Sequence, residues 1–82
     1  MFNRFVFSNR LINLRTINNV MAKDLAANIG VSKQAISQYE KQQSTPSVEV
    51  LMSIADYFDV SLDYLTGRTD EPVNPNVKRR NK

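Results

Sequence analysis

An all-α domain of five short helices is predicted for this 82-residue chain, and three observations predict it. Apolar residues recur at three- and four-residue intervals, as one buried face of a helix requires. No alternating apolar–polar stretch long enough for a strand interrupts them. The two glycines and three prolines fall between the periodic segments, where turns are needed.

Ser8 reads as the N-cap of the first helix, with Phe7 and Ile12 at the spacing of a hydrophobic staple. Leu11 and Leu14 face inward, and the helix runs to about Ile17. Asn18–Asn19 ends it, because Asn tolerates the left-handed conformation. Residues 1–7 are then an N-terminal arm, in which Phe2, Phe5 and Val6 either cover the edge of the core or serve self-association. The second helix, roughly Met21–Asn28, buries Leu25, Ala26 and Ile29 before Gly30 stops it. Ser32 caps a third helix, Lys33–Lys41, whose inner face is Ala35, Ile36 and Tyr39. Its outer face is Lys33, Gln34, Ser37, Gln38 and Lys41. After Thr45-Pro46-Ser47, a fourth helix runs to about Phe58 on a stripe of Val48, Leu51, Ile54, Ala55 and Phe58, with Glu49 placed to favour its dipole. Ser61 caps a fifth helix, which turns Leu62 and Leu65 inward and ends at Gly67. The domain therefore spans 8–67, and residues 68–82 read as a flexible basic tail ending near Lys78-Arg79-Arg80.

Composition narrows the chemistry. Cysteine and histidine are both absent, which removes disulfides, a zinc site, a Cys nucleophile and a Ser-His-Asp triad. Asp and Glu stand singly rather than in catalytic pairs, so an enzyme is not expected, and neither a metal nor a cofactor is implied. No apolar run approaches the roughly 18 residues of a membrane span, and a cytoplasmic protein is expected. Charge is segregated: residues 1–45 carry +4, residues 46–66 carry −4, and residues 67–82 carry +3. Such a dipolar body can orient on a polyanion, which scattered solvating charge would not do.

The spacing Ala26, Gly30, Ile36 supplies what a helix-turn-helix requires: a small residue where two helices touch, a turn residue tolerant of positive φ, and an apolar plug from the second helix. Leu11-x-x-Leu14-Arg15, Leu25-Ala26-x-x-Ile29-Gly30-Val31-Ser32, Ile36-Ser37-x-Tyr39-Glu40, Pro46-Ser47 and Ser61-Leu62-x-x-Leu65-x-Gly67 follow in order. On these pieces the chain resembles the helix-turn-helix family of phage repressors and Cro proteins, the XRE family, from about Phe7 to Gly67. The resemblance implies a five-helix, lambda-repressor-like fold whose third helix reads the major groove of double-stranded DNA. It implies base reading by Lys33, Gln34, Ser37 and Gln38, backbone contacts by Arg10, Lys23, Ser32 and Lys41, and a salt bridge between Arg15 and Glu40.

Base chemistry agrees with this assignment: Gln pairs bidentately with adenine, and Lys donates to guanine or to phosphate. Two positions depart from the family pattern. Met21 and Ala22 stand where a capping Ser or Thr and a phosphate-binding Gln are usual, so that phosphate contact falls to backbone N–H groups or Lys23, or is lost. Gln42-Gln43 stand where the following loop usually has Gly. One recognition helix reads too few base pairs to be specific, so a homodimer on an inverted-repeat operator is the expected arrangement. Val50 and Tyr57, seven residues apart, offer an outward face for the second copy. The alternative is a protein-interaction module whose partner binds the fourth and fifth helices or the tail.

Overall fold

The computed structural model describes residues 2–72, and among them five helices and no strand. They are α1 (Arg4–Asn18), α2 (Ala22–Ile29), α3 (Lys33–Glu40), α4 (Val48–Phe58) and α5 (Leu62–Thr66). Capping residues mark most boundaries. The hydroxyls of Ser32, Ser47 and Ser61 accept from Ala35, Val50 and Tyr64 N–H at 3.0, 3.2 and 2.9 Å. At the other ends, Asn19, Gly30, Asp59 and Gly67 take left-handed conformations and return their N–H groups to the last carbonyls.

Every helix contributes to one core. Phe7, Leu11 and Leu14 enter from α1, Leu25 and Ala26 from α2, and Ile36 and Tyr39 from α3. Leu51, Ile54 and Ala55 come from α4, Val60 from the turn after it, and Leu65 from α5. The Phe7 ring meets Tyr39 edge-on at 6.2 Å, and Phe2 covers the outer side of Phe7 at 5.6 Å. Phe2 therefore covers the edge of the core, one of its two expected roles. α1 packs on α3 and α5, while α2 packs on α3 and α4.

Several expectations need correction. α1 begins at Arg4, capped by Asn3 Oδ1 on Val6 N–H at 3.0 Å, and not after Ser8. Ser8 is buried inside the helix, and its hydroxyl donates to the Phe5 carbonyl at 3.2 Å. A serine can satisfy itself in this way within a helix as readily as it can cap one. The staple between Phe7 and Ile12 does not form, since Phe7 is wholly buried and Ile12 faces solvent. Val48 and Leu62, expected inside, are exposed, because each is the first residue after its cap and points away from the core. Val50, expected outside with Tyr57, is half-buried against the core, so the two do not share an outward face.

Residues 68–72, expected to begin an unpacked tail, are bonded to the body. Arg68 N–H donates to the Asp63 carbonyl at 2.8 Å, and Ser61 N–H donates to the Pro72 carbonyl at 3.0 Å. The run Lys78-Arg79-Arg80 lies outside the described residues.

The close seam between α1 and α5 gives a test. A Cβ at Gly67, where φ is +89°, would lie 3.0 Å from Asn3 Cβ and 3.3 Å from Val6 Cβ. At Gly30, where φ is +77°, it would meet nothing within 4 Å. Gly30→Ala should cost about 1–2 kcal/mol for the left-handed backbone alone, and Gly67→Ala distinctly more. Equal losses in denaturant titrations would show that the seam is looser than its geometry.

Candidate nucleic-acid interface

The turn between α2 and α3 is built on Ala26, which is buried where the helices touch. Its carbonyl accepts from both Gly30 and Val31 N–H, at 2.9 and 3.0 Å. Ile36 and Tyr39 then anchor the inner face of α3. Of the outer residues, Lys33 and Gln34 are exposed, whereas Ser37 and Gln38 are half-buried. Lys33 also lines an open hollow with Met21 and Ala22 at the start of α2 and Thr16 and Asn19 at the end of α1.

Arg15 sits behind this face and holds it. Its Nε and Nη2 donate to Glu40 Oε2 and Oε1 at 2.6 and 2.9 Å, and its Nη1 donates to the Val20 carbonyl at 3.0 Å. Both side chains are mostly buried, 21% and 15% exposed. The hydrogen bonds that Arg15 donates to Glu40, acting against burial, hold the guanidinium above its ordinary range. Burial likewise pushes the Tyr39 phenol up.

The remaining basic groups divide cleanly. Among the described residues, Arg10, Arg15 and Arg68 lie within bonding distance of a carboxylate, and Arg4, Lys23, Lys33 and Lys41 do not. Of the latter, Lys23 lies on α2 and the other three lie on or beside α3. Lys33 opens it, Lys41 closes it, Lys23 lies in the first turn of α2, and Arg4 Nη1 reaches the Gln42 carbonyl at 3.5 Å. Arg10, expected at the DNA backbone, is engaged elsewhere. Its guanidinium lies 4.1 Å over the Tyr64 ring and donates to the carbonyls of Tyr64 and Thr69 and to Asp70. Arg4, expected in the N-terminal arm, opens α1 instead, and charge alone does not separate it from Arg10.

Of the two departures, the one after α3 is resolved locally and the one at the start of α2 is not. Gln42 adopts the left-handed conformation itself, at φ 63°, and Gln43 N–H closes α3 on the Gln38 carbonyl at 2.9 Å. Met21 gives α2 no side-chain cap, whereas Asn3, Ser32, Ser47 and Ser61 cap the other four helices.

A helix-turn-helix family model matches residues 12–65, two thirds of the chain and all of this site except Arg4. This chain belongs to the helix-turn-helix family. It is 36% identical over 76 residues to an uncharacterized HTH-type transcriptional regulator, YobD, of Bacillus subtilis (strain 168), covering 93% of this chain and 67% of that protein. It is 39% identical over 64 residues to the cryptic phage CTXphi transcriptional repressor RstR of Vibrio cholerae, covering 76% of this chain. The match spans 57% of that repressor's own length. Among solved structures it resembles the P22 c2 repressor in complex with a synthetic operator, with a TM-score of 0.74 at 28% identity. That likeness covers 78% of this chain and 97% of the repressor chain. No described helix is long and apolar enough to cross a membrane.

Because the Arg15–Glu40 pair is mostly desolvated, breaking it strands a charge. Arg15→Ala and Glu40→Ala should each cost about 2–3 kcal/mol, less than the roughly 3–5 kcal/mol of a fully buried pair. The double variant should lose little more than either single one. Equilibrium denaturation of all four proteins checks this, and additive losses would show that the two side chains are not coupled.

Proposed function

We propose that the protein is a sequence-specific, double-stranded-DNA-binding transcriptional regulator of the repressor type, reading operator half-sites in the major groove with α3. The observation that carries this is the sorting of charge. The outer face of α3 holds amides, a hydroxyl and lysines, while Glu40 is turned back onto Arg15. Among the described residues, Lys33 and Lys41, at the two ends of α3, have no carboxylate partner, and neither have Lys23 on α2 and Arg4 beside Gln42. A polyanion is the ligand such a surface fits.

Within this reading Gln34 contacts a base, with adenine its best match. Lys33 contacts phosphate at the mouth of the groove, and Ser37 and Gln38 face the neighbouring base edges. Ser32, Lys23 and Lys41 contact the sugar–phosphate backbone, and Arg10, spent on α5, drops out. The uncapped start of α2 receives a phosphate oxygen, which bonds the N–H groups that Met21 leaves open. Two copies bind two half-sites about 34 Å apart, since one helix reads too little sequence for selectivity. The protein acts in the cytoplasm by binding, without catalysis or a cofactor.

Gln34→Ala should cost about 1–3 kcal/mol on an operator selected from random duplexes and relax preference at one base pair per half-site. Lys33→Ala should instead weaken operator and scrambled DNA alike and lower the salt slope by about one. Titrations at several salt concentrations separate them, and equal losses for Gln34→Ala on both duplexes would remove it from base reading.

Met21→Asp should raise the melting temperature by capping α2, a gain of about 1 kcal/mol. The same carboxylate should weaken duplex binding by occupying the phosphate position. A variant that is more stable and binds undiminished would show that no phosphate sits there.

A further inference from the structure

We infer that Arg4, in the first turn of α1, is a phosphate-contacting residue flanking the recognition helix. This rests on the DNA-binding reading above and adds to it a contact from outside the helix-turn-helix. The guanidinium is exposed and spends a single donor on the protein, the 3.5 Å bond from Nη1 to the Gln42 carbonyl. Arg carries five N–H donors in a fixed fork, so most of this group's capacity faces solvent. The bond places the fork at the C-terminal end of α3, beside the backbone of Lys41, which also lacks a carboxylate partner among the described residues. The nearest carboxylate in sequence, Glu40, has both oxygens occupied by Arg15. A phosphate oxygen pair matches the planar fork of a guanidinium that no carboxylate occupies.

The group is also held in place before binding. Asn3 caps α1 through its side chain, and its own N–H donates to the Thr66 carbonyl at 3.1 Å. The seam at Gly67 packs α5 against Asn3 and Val6 on either side of Arg4. A cation fixed on a rigid first turn loses less freedom on binding than one on a loose arm.

The test uses the whole 82-residue chain and the variants Arg4→Gln, Arg4→Lys and Arg68→Gln. Each is titrated against its selected operator and a scrambled duplex from low to moderate salt, alongside thermal melts. Arg4→Gln should weaken both duplexes equally and make the salt slope shallower by about one per bound protomer. Arg4→Lys should restore the slope, because the charge returns. Arg68→Gln, which removes the same charge beside Asp63, should leave the slope unchanged. An unchanged slope for Arg4→Gln overturns the inference. So does an equal drop for Arg68→Gln, which would report net charge alone, or a lowered melting temperature without a slope change, which would make Arg4 a cap on α3. Absence of salt-dependent binding by the unaltered chain would instead defeat the DNA-binding reading itself.

Discussion

The grip of Arg15 on Glu40 and on the Val20 carbonyl is the constraint on which the rest of the site depends. One guanidinium joins α1, the turn before α2 and the end of α3, so the two helices of the motif cannot shift independently of the scaffold behind them. The pair costs desolvation, and only its bidentate geometry recovers that cost. It has a second effect. By drawing Glu40 inward, it removes the sole carboxylate of α3 from the outer face, leaving a surface that does not repel a polyanion. The interaction that fixes the geometry of the site therefore also sets the sign of its field.

Much of this architecture was legible because short-range chemistry decided it. Ser32, Ser47 and Ser61 cap helices where the following periodicity demands a start, and Gly30 and Gly67 stand where only a left-handed residue closes the previous helix. The start of α1 was not legible, because Ser8 has two satisfactory states, a cap or a helical residue bonded to its own backbone. The choice between them is made by Phe7, which joins Leu11 and Leu14 on one buried stripe and pulls the helix four residues upstream of Ser8. Arg10 and Arg4 were not separable in the sequence for a related reason. They lie six residues apart, roughly 240° around α1. Without the helix start and its rotation, charge says nothing about which faces α5 and which faces the end of α3. The bonding of residues 68–72 was equally hidden, since it rests on backbone carbonyls that carry no sequence signature.

The helix-turn-helix is thus only part of the packed unit. Residues 12–65 carry the family pattern, but Asn3, Arg4 and Phe2 on one side and Thr69 to Pro72 on the other are tied to it by specific bonds. These flanks brace α1 against α5.

Three of the five left-handed corners, at Asn19, Gln42 and Asp59, are turned without glycine. Each pays locally in steric strain, yet a side chain there also restricts the unfolded chain, so part of the strain is offset before folding begins. The same choice keeps a functional group at every such corner. Where glycine would leave bare backbone at the end of the recognition helix, Gln42 presents an amide that can be exchanged for another polar group while the turn is kept. Chains of this build can therefore diversify their outer contacts at the corners without touching the core that holds them.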